Sequence, residues 1–158
     1  MAASNWSAQD IQDQQGRLVI VTGATSGIGK ETALTLAGKN ASVIIAARNM
    51  AKGQDVVDEI LKQHPKADIS VRELDLTSLE SIKTFSDSIL RDYKQLDVLI
   101  NNAGIMMCPY SKTSDGFEVQ MGTNHLGHFA LTGRLMPLLM NTKNARIVVL
   151  SSIAHRFG

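Results

Sequence analysis

A single cysteine, Cys108, stands among the 158 residues. No disulfide framework is available and no thiolate cluster for zinc, which fits a reducing compartment and predicts a cytoplasmic protein. Charge of one sign is lacking as well, because 16 Lys+Arg against 15 Asp+Glu leave a formal net charge of +1. No basic run is dense enough to track a phosphate backbone, which argues against a nucleic-acid partner. Long apolar runs are also missing. The opening MAASNWSAQDIQDQQG has neither a basic leader nor an apolar core, so neither a signal peptide nor an integral membrane segment is expected. Without a secretory signal, the glycosylation patterns at Asn5 and Asn40 read as chance matches. Repeats, low-complexity tracts and interdomain linkers are absent. His125 and His128 stand one helical turn apart, but no carboxylate or third histidine lies near them in sequence, so no metal site is expected.

With 44% hydrophobic residues, the chain has the composition of one ordinary globular domain. The pattern places that domain at 17–158, after an N-terminal extension over 1–16. Apolar runs over 17–23, 42–48, 69–75, 96–102 and 146–152 read as strands, the last of them buried. Helical patterns lie between them. Val56, Val57, Ile60 and Leu61 repeat at four-residue spacing, and Leu79, Ile82, Phe85, Ile89 and Tyr93 form one stripe. Thr77 with Glu80 predicts a capping box at the start of that stripe. A longer helix is expected from Phe117 to Met140, with Gly127, Gly133 and Pro137 as points where it bends or breaks. Its apolar face either packs on its own sheet or joins a second copy in a homo-oligomer. Continuous apolar strands alternating with helices predict an α/β fold, a doubly wound parallel sheet whose ligands bind beyond the carboxyl ends of the strands.

The first strand runs into TGATSGIGKETALTLA, with glycines at 23, 27 and 29. Glycine permits a tight turn and a close backbone approach to a pyrophosphate, and the following helix offers free N–H groups and a positive dipole end. Glycines at a helix start also serve packing alone. The Gly-x-x-x-Gly-x-Gly spacing lacks the Gly-Lys-Ser/Thr ending of a triphosphate loop, although Lys30 follows the last glycine, so a dinucleotide fits better than ATP. About 20 residues on, where an acid would accept from the ribose 2′-hydroxyl of NAD, Ala47 and Arg48 end the second strand. A guanidinium there can grip a 2′-phosphate, which favours NADP(H) over NAD(H); the alternative is an Arg48 pointing into water. Asp75, at the third strand's end, either meets the adenine amino group or supports a cap at Thr77. The fourth strand ends in Asn101, Asn102, Ala103 and Gly104: amides to brace the turn, then small residues that let a cofactor approach. Adjacent asparagines there are costly unless paired.

Taken together, Thr22-Gly23-x-x-x-Gly27-Ile28-Gly29, Asp75, Asn101-Asn102-Ala103-Gly104, Asn124 and VVLSS resemble the short-chain dehydrogenase/reductase family, and residues 101–132 resemble its retinol dehydrogenase-like branch. The resemblance implies a Rossmann-like sheet of order 3-2-1-4-5 and hydride exchange between NADP(H) and a small-molecule carbonyl or alcohol. Coenzyme contacts implied are Gly23, Thr25, Ser26, Gly27, Ile28, Gly29, Arg48, Asp75, Leu76, Asn102, Ala103 and Gly104. Catalytic residues implied are Ser152, bonding the substrate oxygen beside Ser151, and Asn124, supporting a water in a proton relay. The family's acid/base is a tyrosine followed four residues later by a lysine. Here Asp97 follows Tyr93 at that spacing and Ser114 follows Tyr110, so the chain reads as the amino-terminal part of a reductase, inactive alone and with its fifth strand left uncovered. A non-catalytic NADP(H)-binding or partner-binding module is the alternative. A nucleoside-dependent transferase is disfavoured by Arg48 in the acid's place.

Overall fold

The computed structural model describes residues 6–156; residues 1–5, including Asn5 of the first glycosylation pattern and the start of the expected extension, and residues 157–158 lie outside the described residues. Five strands, β1 (Leu18–Thr22), β2 (Ser42–Ala47), β3 (Ile69–Glu73), β4 (Val98–Asn101) and β5 (Arg146–Val149), alternate with helices α1 (Gly27–Gly38), α2 (Met50–Gln63), α3 (Leu79–Asp92), α4 (Val119–Met121) and α5 (His128–Asn141). A π-helical segment, Gly122–Gly127, joins α4 to α5. The strands are parallel in the order β3-β2-β1-β4-β5, as expected.

Period-two alternation on strands buried on both faces divides the core in two. From β1, Leu18 and Ile20 point to the side where Ile82, Phe85 and Ile89 of α3 and Leu131 and Leu135 of α5 pack. Val19 and Val21 point to the opposite side, against Ala33 and Ala37 of α1 and Val56, Val57 and Ile60 of α2. Small buried residues on α1 let its backbone lie close to the sheet, directly above the turn that leaves β1.

Several local expectations are corrected. The α3 cap is Ser78, whose hydroxyl accepts from Ser81 N at 3.2 Å. Thr77 is unavailable because its N–H and hydroxyl both donate to Asp75 Oδ1, at 2.9 and 2.7 Å. Leu79, the first member of the stripe, is exposed. The long helix passes through Gly133 and Pro137 unbroken and departs from regular geometry only at 122–127, beside the first of the three expected points. Gly127 ends that segment, where a Cβ would stand 2.5 Å from the Leu76 carbonyl oxygen. Leu131, Leu135, Leu138 and Leu139 of α5 are spent on the protein's own core, whereas Phe129 and Met140 are exposed.

β5 is not buried as its composition suggests. It pairs with β4, and Ile147, Val148 and Val149 are 41%, 41% and 66% exposed. An apolar edge of this kind pairs readily with another chain. The 158-residue protein is therefore expected to self-associate as its concentration rises, and Val149→Lys to suppress the effect; unchanged light scattering between the two proteins would count against an exposed β5.

Candidate functional site

The turns leaving β1, β2, β3 and β4 enclose a cleft of about 630 Å³ at the carboxyl ends of the strands. Its floor is Gly23 and Gly29, one end is Arg48, Asn49 and Lys52, one side is Asp75 and Leu76, and the far wall is Asn102, Ala103, Gly104 and Ile105. Thr25, Ser26 and Ile28 form the rim at the start of α1, with Thr123 and Leu150 on the far side. Of the coenzyme residues expected from sequence, Gly27 alone is not among the lining residues; it starts α1 at φ +56°. Ser152 lies two residues beyond Leu150, past the end of β5, and is exposed. Lys30 points elsewhere, into an ion pair with Glu59 at 2.6 Å.

The glycines serve a purpose that composition alone does not reveal. A Cβ at Gly23 would stand 2.7 Å from the Ala103 Cα, and one at Gly29 would overlap the Asn102 amide nitrogen. The room they leave is filled by the β4 turn. That approach is sealed by Asn102, whose Nδ2 donates to the Thr22 carbonyl at 2.7 Å, and by the Thr22 hydroxyl, which accepts from the Asn102 and Ala103 N–H groups at 2.9 Å each. Asn101 instead donates to the Thr132 hydroxyl at 3.0 Å, and its Oδ1 is buried with no hydrogen-bond partner. Asn102 thus braces the turn, whereas Asn101 ties β4 to α5 and meets the demand of a buried amide only in part.

The mouth of the cleft suits an anion. Ser26, the residue before α1, makes no side-chain capping bond, and the first turn of α1 carries no acidic residue. A Cβ on Gly27 would meet nothing within 4 Å. The first N–H groups of a twelve-residue helix are therefore presented to open space with the positive end of the dipole behind them. Thr123 adds a buried hydroxyl without a protein partner on the far side of the cleft. At the Arg48 end, Asn49 caps α2 by accepting from Lys52 N at 3.0 Å, and this first turn places Lys52 in the cleft beside Arg48. Sequence reading missed Lys52; a lysine one helical turn after Arg48, just inside a helix start, was the available signal. Asp75 is the one carboxylate among the lining residues, and its Oδ1 holds Thr77. The cap alternative is not realised, since Asp75 holds Thr77 away from α3 and Ser78 caps the helix, while Asp75 still faces the cleft.

Asn124 does not line the cleft. Its Oδ1 accepts from Ile105 N and its Nδ2 donates to Ile105 O, both at 2.8 Å, clamping the residue that follows Gly104. Its carbonyl is met by His128 Nδ1 at 3.0 Å. With Nε2 2.9 Å from the Thr22 hydroxyl, both ring nitrogens of His128 are committed within the protein.

Burial pushes His128 below the usual histidine range, opposed in part by its bond to Asn124. The unfolded chain takes up this proton near pH 6.5 whereas the folded one resists it, so the unfolded state holds more protons over that window. Stability from this group is complete above about pH 6.5 and falls on acidification, with a slope of at most about 1.4 kcal/mol per pH unit. Urea unfolding at pH 7 and pH 5 should show a smaller acid loss in His128→Gln than in the parent; equal losses would contradict a neutral buried ring.

A family model described as short chain dehydrogenase matches residues 17–158. Human retinol dehydrogenase 12 is 50% identical over 143 residues, covering 90% of this chain and 45% of that protein. Human retinol dehydrogenase 11 is 51% identical over 143 residues, with the same shares covered, 90% and 45%. The chain spans about half the length of the curated relatives it matches. Among solved structures, a Mycobacterium paratuberculosis protein superposes with a TM-score of 0.83 at 47% identity, covering 95% of this chain and 51% of that one. A Shigella flexneri short chain dehydrogenase complexed with NADP gives 0.79 at 32% identity, covering 94% and 64%.

Proposed function

Because the chain belongs to the short chain dehydrogenase family, and its similarity to retinol dehydrogenases 11 and 12 places it in their branch, we propose that it forms the coenzyme-binding part of an NADP(H)-dependent oxidoreductase. The reaction is the interconversion of a carbonyl and an alcohol. The observation that carries this reading is the alignment, in one cleft, of a cationic end at Arg48 and Lys52, an uncapped helix start at Ser26 and a small-residue wall at Ala103 and Gly104. When bound, the coenzyme supplies or accepts the hydride.

The chain's own residues bind and orient. Arg48 and Lys52 hold the 2′-phosphate, the first N–H groups of α1 hold the pyrophosphate, and Asp75 takes the adenine end. Asn102, Ala103 and Gly104 would form the wall that the nicotinamide half meets. Ser152, leaving the end of β5, donates a hydrogen bond to the substrate oxygen. Asn124 supports a water in the relay that returns the proton, through the carbonyl lone pair that His128 leaves open, since its amide is held by Ile105. The names of the similar proteins point to retinol and retinal, and more broadly to an apolar primary alcohol and its aldehyde.

Neither Tyr93 nor Tyr110 has a lysine four residues on, and the second reading is a non-catalytic NADP(H)-binding module. Two measurements separate them. NADPH titration of the 158-residue protein should give saturable binding, and mixing it with retinal should give no NADPH oxidation. The same sequence carried on to the length of its relatives should oxidise NADPH with retinal. Turnover by the 158 residues alone would overturn the placement of the acid/base pair elsewhere; no turnover by the longer chain would favour the module.

A further inference from the structure

We infer that His128, held as the neutral Nδ1–H tautomer, is a positioning residue for the coenzyme cleft: its Nε2 accepts a hydrogen bond from the Thr22 hydroxyl and so turns both Oγ1 lone pairs toward the Asn102 and Ala103 amides. The inference rests on the reading of the cleft as a coenzyme site, and it names what sets the far wall of that cleft.

Donor and acceptor counting fixes the tautomer. The Asn124 carbonyl can only accept, so at 3.0 Å the facing Nδ1 must carry a hydrogen. The Thr22 hydroxyl already accepts two backbone N–H bonds at 2.9 Å, from Asn102 and Ala103, which uses both of its lone pairs. Its single hydrogen has two acceptors in reach, the Ile100 carbonyl at 3.4 Å and His128 Nε2 at 2.9 Å, and the shorter contact takes it. An Nε2–H, whether in the other tautomer or in an imidazolium, would face an oxygen with no lone pair left.

Those bonds close a ring. From Thr22 it runs to Asn102 and Ala103, along the chain through Gly104 to Ile105, across to the Asn124 side chain, through the Asn124 carbonyl to His128, and back to Thr22. The cleft wall at 102–105 is therefore held from β1 on one side and from the π-helical segment on the other. Thr22 is wholly buried and His128 is 5% exposed, so water does not replace either partner readily. A π-helical turn commonly marks a site where local geometry serves a task, and here it sets Asn124 to reach both Ile105 and the ring.

Two measurements on the protein test this. Side-chain nitrogen–proton correlation spectra at neutral pH should show His128 protonated at Nδ1 and bare at Nε2; an Nε2–H form or an imidazolium would overturn the proposal. NADPH titration should show His128→Leu weakened by roughly tenfold, the effect of losing one buried hydrogen bond. His128→Gln, whose side-chain oxygen can still accept from Thr22, should recover most of that loss. The Asn102 and Ala103 amide resonances should move in the Leu variant and return in the Gln variant, and a folded Leu variant with both resonances and affinity unchanged would also overturn it. If the parent itself fails to bind NADPH, the coenzyme reading falls, while the tautomer and the two amide resonances still decide the role of His128.

Discussion

Arg48→Asp is expected to lower NADPH affinity by about a hundredfold, roughly 3 kcal/mol, and to leave NADH affinity level or improved. The argument is electrostatic and local. Arg48 and Lys52 are the cations lining the cleft, both at the end where β2 meets α2. A guanidinium offers a 2′-phosphate two charge-assisted bonds in a fixed fork, whereas an ammonium acts as a point charge. Lys52→Ala should therefore cost less, about fivefold, by loss of one exposed charge–charge contact. Aspartate at position 48 would repel the phosphate and accept instead from a ribose hydroxyl, which is the reason for the reversal. Parallel titrations with the two coenzymes provide the check. An unchanged ratio of affinities in Arg48→Asp would mean that some other group reads the phosphate.

Gly23→Ala is expected to destabilise the protein by about 2–5 kcal/mol, a large share of a domain's usual margin. Two separable effects contribute. At φ +65° an L-residue costs about 1–2 kcal/mol. The added methyl would also stand 2.7 and 2.8 Å from the Ala103 Cα and Cβ, and Ala103 cannot retreat without releasing its N–H bond to Thr22. Overpacking of that kind costs about 1–3 kcal/mol. Gly27→Ala separates the two, since at φ +56° it carries the backbone cost while its Cβ meets nothing within 4 Å. Urea midpoints should thus fall for both variants and fall further for Gly23→Ala. Equal falls would contradict the close approach of the β1 and β4 turns.

The sheet was legible because strands buried on both faces must read as unbroken apolar runs, as LVIVT and SVIIAA do. The cleft was legible because glycines and amides punctuate the ends of those runs, which is where parallel sheets bind ligands. What escaped depends on contacts distant in sequence or on competition between neighbours. Thr77 has the chemistry of a cap, but Asp75 outbids the helix for it, and Ser78 takes the role. Gly127 was legible as a point of departure in the helix, but the reason it must be glycine, the approach of the distant Leu76 carbonyl, was not. Composition marks β5 as core, yet burial depends on what lies against it, and among the described residues only β4 pairs with it. The glycines were found for a reason that was incomplete: at 23 and 29 the vacant volume is occupied by Ala103 and Asn102, which shape the cleft floor.

The most direct measurement is a backbone amide NMR titration of the protein with NADPH. Saturable shifts are predicted in two groups, the amides of residues 25–29 at the start of α1 and those of residues 48–52 at the start of α2, with NADH moving the first group and leaving the second nearly still. NADPH that binds while both groups stay in place, or that moves residues away from the strand ends instead, would contradict the assignment of this cleft to the coenzyme.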